Sequence, residues 1–107
     1  RGGGPVWRYQ DADNYYICRA NPLENNFRVY KVVNGNRRMM RTVNLKITSN
    51  QWHTIKIENI GDSIKCYYDG KLYLKAKDKT FRHGKIGVWA KADAVTYFDH
   101  LKVSAAK

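Results

Sequence analysis

The sequence predicts an all-β fold, an antiparallel β-sandwich, from three observations. Apolar and polar residues alternate with a period of two in segment after segment, and turn residues interrupt them every 8 to 12 positions, as is typical of sandwiches and barrels. No window of useful length shows the 3.6-residue apolar period of a helix. Eight tyrosines and three tryptophans in 107 residues suit half-buried sheet surfaces and stacking sites.

Four strands are predicted in the first half of the chain, over residues 5–10, 15–20, 27–33 and 38–47. A polar turn over residues 11–14 separates the first two strands. Asn21 and Pro22 end the second, because proline cannot donate to a ladder and restricts the residue before it. Asn34 and Gly35 form a strong type I′ hairpin signal between the third and fourth strands.

Five strands are predicted in the second half, over residues 52–59, 63–68, 71–77, 86–90 and 95–103. Glycine turns at Gly61-Asp62 and Asp69-Gly70 connect the first three of them into a meander. One face of this meander is apolar, with Ile55, Ile57, Ile64, Cys66, Tyr68, Leu72, Leu74 and Ala76. The other face is basic and bears tyrosines, with Lys65, Tyr67, Tyr73, Lys75 and Lys77. We therefore expect one domain over residues 1–107.

Composition excludes several classes of protein. At 43% hydrophobic residues the chain has too much core material for a disordered tail. No apolar run approaches the ~18 residues of a membrane helix, so no membrane span is predicted. The net charge of +11 suits nucleic acid, but the basic residues are spread along the chain with no RNP-type signature, which disfavours that partner. Polyanionic glycans would exploit the same charge.

Two cysteines, Cys18 and Cys66, lie 48 positions apart, too far for a CxxC redox or zinc motif. Both are interpreted as small buried apolar residues. Spacing leaves a disulfide between them open.

Several ordered motifs resemble one family. The segment GGPVWRYQDADNYY at residues 3–16, Arg19-Ala20-Asn21 and LENN at 23–26 are followed by QWHT at 51–54, YDGK at 68–71 and GVWAKADAVTYFD at 87–99. Together they resemble the bacterial 3-keto-disaccharide hydrolase domain family, which belongs to the concanavalin A-like lectin/glucanase jelly rolls. The resemblance implies a jelly-roll sandwich in a periplasmic or extracellular bacterial protein.

The resemblance also implies missing strands, because domains of this family carry further strands before the segment that matches Gly3. We expect the chain to be a C-terminal portion of the full family domain. Its sheet would then have an unpaired edge and exposed apolar surface. A homo-oligomer, or a partner chain that supplies the missing strands, is therefore predicted.

Catalytic residues are hard to assign from this sequence. Glycoside hydrolysis ordinarily needs two carboxylates about 5 to 9 Å apart, and the chain has two glutamates, Glu24 and Glu58. Glu58 is interpreted as a solvated charge at a strand end, and no paired-carboxylate motif is present. Whether the chain is an enzyme stays open, with Asp93 and Glu24 as weak catalytic candidates.

Metal and cofactor sites are not predicted. His53, His83 and His100 show no metal-ligand spacing. The run Asp11-Ala12-Asp13-Asn14 is similar to the start of a calcium loop, but the downstream glutamate is missing. We interpret it as a turn held by side-chain to backbone hydrogen bonds, while a structural calcium ion stays open.

Sugar binding matches the composition best, because pyranose faces stack on Trp or Tyr while hydroxyls pair with Arg, Asn, Lys and Asp. The aromatic candidates are Trp7, Tyr9, Tyr16, Tyr30, Trp89 and Tyr97, about half of them expected in the core with Trp52 and Phe98. The predicted substrate-binding residues, which depend mainly on the resemblance, are Arg8, Arg19, Asn21, Trp89, Lys91, Asp93 and Tyr97. The predicted function is a lectin-like carbohydrate-binding module of an exported bacterial protein. The alternatives are a hydrolase of 3-keto-glycosides and, less favoured, nonspecific binding of nucleic acid or polyanions.

Overall fold

The computed structural model describes residues 3–48, 51–90 and 97–106, with side chains described as far as residue 87. Nine strands lie in these residues, close to the nine that alternation predicts. They are β1 (Gly3–Asp11), β2 (Asn14–Asn21), β3 (Asn26–Val33), β4 (Asn36–Asn44), β5 (Trp52–Ile60), β6 (Ser63–Tyr68), β7 (Lys71–Lys77), β8 (Lys85–Ala90) and β9 (Tyr97–Ala106).

The strands form two sheets, which confirms the predicted β-sandwich. Sheet A has the order β4-β3-β2-β1-β8, and sheet B the order β7-β6-β5-β9. Neighbouring strands are antiparallel except β5 and β9, which are parallel over a register from Trp52↔Tyr97 to Ile60↔Ala106. The described part of the chain contains no helix that is long and apolar enough to cross a membrane.

The hairpin turns adopt the backbone that their residues favour. Asn34 and Gly35 both have positive φ, at 52° and 79°, as do Asp69 and Gly70, at 48° and 85°. Two consecutive positive φ values are the requirement of a type I′ turn. In the first turn Asp11 Oδ1 accepts a hydrogen bond from the backbone N–H of Asp13 at 2.8 Å, so the interpretation of this segment as a turn is confirmed.

The core lies between the two sheets, and most of the apolar face predicted for the meander points into it. Two residues of β7 depart from the prediction: the register shifts between Cys66 and Tyr67 and pairs Leu72 with the outward Tyr67, whereas Tyr73, predicted on the basic face, packs against the core. The largest fully buried side chains of the core include Trp7, Tyr16, Phe27, Ile55, Ile57 and Ile64. Because Trp7 and Tyr16 are fully buried, neither ring can stack on a sugar. The prediction that Trp52 is a core residue is wrong, because Trp52 is 65% exposed. His53, Ile55 and Ile57 point inward along β5, so alternation places Trp52 on the opposite side. Phe98 has no described side chain.

The two cysteines lie in the core, as predicted, on facing sheets. Cys18 is on β2 of sheet A and Cys66 on β6 of sheet B, and both are free and fully buried. Burial raises the pKa of the Cys18 thiol, and contact with the Cys66 thiol raises it further. Neither thiol is therefore available as a surface nucleophile.

Candidate functional site

The outer face of sheet A, which points away from sheet B, carries a continuous row of paired side chains. In the register of the sheet Gly87 pairs with Val6, Val6 with Ile17, Ile17 with Tyr30, and Tyr30 with Met39. The row crosses all five strands of the sheet. Val6, Ile17 and Tyr30 form a second apolar cluster, separate from the core between the sheets, so both faces of sheet A are apolar.

A tyrosine pair packs over this second cluster at one end of the strands. The rings of Tyr9 on β1 and Tyr15 on β2 are stacked, with centroids 5.5 Å apart and planes inclined by 27°. Both are half-buried and pack against the cluster. Beside Tyr9 lies a shallow groove of about 290 Å³ lined by Val6, Tyr9, Lys85, Ile86 and Gly87. The pair thus presents aromatic surface next to a groove with a cation at its edge.

Tyr30 sits among three arginines on the same face. The Arg37 guanidinium carbon lies 4.8 Å from the centroid of the Tyr30 ring and that of Arg19 lies 5.5 Å from it. The Tyr30 hydroxyl accepts from Arg19 Nη2 at 3.3 Å and from Arg28 Nη1 at 3.5 Å. Arg28 also donates from Nε to Thr42 Oγ1 at 3.0 Å. These contacts hold the guanidinium groups in fixed orientations.

The outer face thus combines the half-buried rings of Tyr9 and Tyr15 with guanidinium groups, whereas the Tyr30 ring beneath the arginines is only 5% exposed. An aromatic surface covers the apolar face of a pyranose or furanose ring, and guanidinium groups donate paired hydrogen bonds to hydroxyl oxygens. We refer to Tyr9, Tyr15, Tyr30, Arg19, Arg28 and Arg37 as the tyrosine–arginine face. Side-chain positions fixed by packing lower the entropy that binding must overcome.

Arg19 is the predicted sugar residue that lies on the outer side of sheet A, where it is itself buried at 7% exposed, whereas Arg8 is directed elsewhere. Arg8 is 5% exposed and has a positive φ of 49°. Its guanidinium points toward sheet B, where Nη1 donates to the carbonyls of Gly61 and Phe81, each at 2.9 Å, and Nη2 to that of Asn59 at 3.2 Å. The structure thus gives Arg8 a position between the sheets rather than on the tyrosine–arginine face.

Asn21 also acts within the protein. It is buried, and its Oδ1 accepts from the backbone N–H groups of Leu23 at 3.0 Å and Glu24 at 3.2 Å. This is the side-chain to backbone bonding by which asparagine stabilises a turn. Its amide oxygen is consequently occupied in closing the turn between β2 and β3.

The remaining predicted sugar residues lie in the last part of the chain. The backbone of Trp89 pairs with Gly4 on β1, and that of Tyr97 pairs with Trp52 on β5. These positions put Trp89 on sheet A beside the tyrosine–arginine face and Tyr97 on sheet B. Lys91 and Asp93 lie outside the described residues.

The two glutamates lie on different sheets. Glu24 is exposed in the turn after β2, where its Oε1 accepts from Asn26 Nδ2 at 3.3 Å. Glu58 lies on β5 of sheet B, and its Oε1 accepts from the Tyr67 hydroxyl at 2.9 Å. That hydrogen bond lowers the pKa of Glu58. A lowered pKa at Glu58 is the opposite of what a general acid needs.

One chain of hydrogen bonds has the order of a catalytic triad but is enclosed. His53 Nδ1 lies 3.0 Å from Asp69 Oδ2, and Nε2 lies 3.0 Å from Thr48 Oγ1 and 2.9 Å from the Thr48 carbonyl. The imidazole is buried, so a substrate has no access to it, and the backbone carbonyl occupies the nitrogen that a base would use. The chain instead connects the segment before β5 to the β6–β7 turn.

Asp78 forms a second polar cluster between the sheets. Its carboxylate accepts from the Tyr16 hydroxyl at 2.6 Å and from Lys31 Nζ at 2.7 Å, and Oδ1 accepts from the Thr80 N–H at 2.9 Å. Burial alone raises the pKa of Asp78, but these hydrogen bonds outweigh it and hold the pKa well below its usual range. Burial and the bond to Asp78 raise the pKa of Tyr16. The cluster fixes the segment after β7 against sheet A.

Among the side chains that the structure describes, which end at residue 87, no three from His, Cys, Asp or Glu converge as metal ligands. The Asp11 carboxylate is used in the turn, where Oδ1 also accepts from Asn14 Nδ2 at 2.9 Å. A structural calcium ion therefore receives no support from these residues.

Sequence reasoning missed Tyr15, Arg28 and Arg37 as candidate site residues. The signal was present, because Tyr15, Ile17 and Arg19 alternate along β2. It was ambiguous, since the intervening residues of β2 are also apolar and alternation did not separate the two faces.

Comparisons with known proteins were made for the sequence and for the fold. No family model matches the chain. Over 105 residues, 94% of this chain, it is 29% identical to the levanase of Bacillus subtilis (strain 168), of which the match covers 15%. In structure it is similar to the carbohydrate-binding module CBM66 from Bacillus subtilis, with a TM-score of 0.73 and 25% identity. That likeness covers 81% of this chain and 55% of the module. The chain thus resembles a carbohydrate-binding β-sandwich, and its likeness to the 3-keto-disaccharide hydrolase family stays a prediction.

Proposed function

We propose that this domain is a carbohydrate-binding module. The observation that carries the proposal is its structural likeness to CBM66, at a TM-score of 0.73 over 81% of the chain. The sequence similarity to a levanase supports the same class of ligand. Levan is accordingly the first polysaccharide to test.

We place the binding site on the tyrosine–arginine face. The stacked pair of Tyr9 and Tyr15 supplies the apolar platform. Arg28 and Arg37 supply exposed or half-exposed donors a short distance along the sheet. A sugar chain lying across the strands would contact both.

The hydrolase reading is the alternative that accompanies the resemblance to the 3-keto-disaccharide hydrolase family. It requires turnover, whereas a binding module shows glycan-dependent stabilisation without turnover. The separation of Glu24 and Glu58 onto different sheets supports the binding module. Turnover of a 3-keto-glucoside that Asp93→Ala abolishes would replace the binding module with the hydrolase.

The experiment is affinity electrophoresis and calorimetry on levan, dextran and laminarin. We expect one of these neutral polysaccharides to retard the protein. Tyr15→Ala is expected to weaken binding about tenfold, which corresponds to ~1.4 kcal/mol. The matched control is Tyr67→Ala on the outer face of sheet B, with an expected change of less than about twofold. No retardation by any of the three, or equal losses in both variants, would contradict the proposal.

The proposal also covers the cellular location and the assembly state of the protein. A periplasmic or extracellular location follows from a polysaccharide ligand, since such polymers are met outside the membrane. The predicted homo-oligomer or strand-complementing partner is tested by sedimentation velocity. A compact monomer in that measurement would contradict the prediction.

A further inference from the structure

A basic groove lies on the side of the molecule where the edge strands of the two sheets meet. It has a volume of about 480 Å³ and is lined by Arg41 of β4, Ser63 and Lys65 of β6, and Lys75, Ala76 and Lys77 of β7. Strand β4 is the edge of sheet A and β7 the edge of sheet B, and the two strands are in contact. The basic groove is therefore built by both sheets, on strands other than those that carry the tyrosine pair.

The lining of the basic groove carries four cationic side chains and no carboxylate. Lys65 and Lys75 are directly opposite in the antiparallel register, an arrangement that destabilises a sheet. Strands β4 and β7 as a whole contain three arginines and three lysines and no acidic residue. Six of the 20 Lys and Arg residues of the chain therefore lie on these two edge strands.

Two carboxylates near the basic groove are engaged with other partners, whereas a third, Asp62 beside Ser63, is exposed. Glu58 pairs with Lys65 in the register of β5 and β6, but it accepts the hydroxyl of Tyr67 at 2.9 Å. Asp78, directly after β7, lies 2.7 Å from Lys31 Nζ. None of these carboxylates lines the groove, although the charges of Glu58 and Lys65 interact, so the lining itself carries only positive charge.

Protection of sheet edges explains only part of this charge. Lysine on an exposed edge strand prevents pairing with another chain, and this accounts for Lys75 and Lys77 on β7. Lys65 lies on β6, between β7 and β5, where no edge needs protection. A ligand with several negative charges accounts for all of these residues together.

We propose that the basic groove binds an anionic polysaccharide through carboxylate groups along its chain. Nucleic acid fits less well, because the neighbouring aromatic rings are covered: Lys56 Nζ lies 4.5 Å from the Tyr67 centroid and Lys71 Nζ 5.2 Å from that of Tyr73. Bases would lack a free ring on which to stack. That the polymer is a polysaccharide rests on the proposed function, while the requirement for negative charge rests on the groove itself.

The test measures binding of polygalacturonate, of neutral dextran and of a 20-base-pair duplex DNA to the full chain by calorimetry at 50 and 200 mM salt. The groove variant is Lys65→Gln, Lys75→Gln and Lys77→Gln together. The control variant, Lys46→Gln, Lys79→Gln and Arg82→Gln together, removes the same charge from exposed residues outside the groove.

We expect polygalacturonate to bind, more weakly at 200 mM salt because exposed charges are screened. The groove variant should lose about tenfold in affinity, as three exposed ion contacts would supply, and the control variant less than about threefold. Equal losses in both variants, absence of binding, or tighter binding of the duplex would overturn the proposal. Tyr15→Ala should leave polygalacturonate binding intact, so failure of the sugar site on sheet A and failure of the basic groove are distinguishable.

Discussion

The Arg8→Met variant tests whether Arg8 stabilises the fold, as its contacts in the structure indicate, or binds the sugar, as the sequence predicts. The first role gives the variant a loss of stability, and the second gives it a loss of affinity. In the structure the guanidinium donates three hydrogen bonds to backbone carbonyls, at 2.9, 2.9 and 3.2 Å. Each lost bond costs about 1 kcal/mol, while methionine retains most of the apolar stem. The free energy of unfolding should therefore fall by about 3 kcal/mol, which is a drop in Tm of about 12 to 24 °C for a domain of this size.

The assay for this variant pairs thermal and denaturant unfolding with calorimetry of sugar binding at a temperature where the protein is folded. Arg82→Met is the matched control, because Arg82 is exposed, and its free energy of unfolding should change by less than about 0.5 kcal/mol. Folded Arg8→Met protein should bind its polysaccharide within about twofold of the unaltered chain.

The opposite pattern would refute this reasoning. An Arg8→Met protein of unchanged stability that binds its polysaccharide at least about tenfold more weakly would show that Arg8 contacts the sugar, as the resemblance to the hydrolase family implies. A loss of both stability and affinity would show that the irregular backbone of β1 at Arg8, where φ is 49°, positions the proposed binding face.

Three more perturbations follow from the buried contacts. The pKa of Asp78 is lower in the folded protein than its ordinary value of 3.8. Its contribution to the free energy of unfolding is full above 3.8 and is lost as the pH falls from there toward the lower pKa of the folded protein. Asp78→Asn should therefore flatten the loss of stability in acid unfolding measured between pH 5 and 2. Because Cys18 and Cys66 are fully buried, an aromatic disulfide reagent should leave both thiols unmodified in native protein and react with both in guanidinium, and rapid native reaction would contradict the packing. A Cβ on Gly4 would lie 1.8 Å from the Cys18 carbonyl oxygen, so Gly4→Ala should lower the free energy of unfolding by at least about 2 kcal/mol. The control is Gly70→Ala, where a Cβ meets nothing within 4 Å, and its free energy of unfolding should fall by about 1 kcal/mol.

The strands were predictable because alternation and turn chemistry agree in most of the chain. Asn34 with Gly35, and Asp69 with Gly70, adopt the positive φ values that such pairs favour. The parallel pairing of β5 with β9 was not predictable, since it joins strands distant in sequence and no local turn specifies it.

The candidate site was less predictable than the fold, for reasons seen at individual residues. Arg8 would face outward if β1 alternated regularly from Trp7, but the strand has a register shift and Arg8 a φ of 49°, which turns it inward. A non-glycine residue with positive φ leaves no signal in the sequence here. Trp52 was predicted to be a core residue, whereas the buried positions of His53 and Ile55 put it on the outer side.

The most direct test of the carbohydrate-binding account is an NMR titration of the ¹⁵N-labelled domain with fragments of the polysaccharide that retards it most strongly. The account predicts that the largest shift changes fall on the backbone amides of Tyr9, Tyr15, Arg28 and Tyr30 on sheet A. Amides of β6 and β7 should move little with a neutral sugar. Changes confined to sheet B, or no changes at saturating sugar, would contradict the assignment of the binding face.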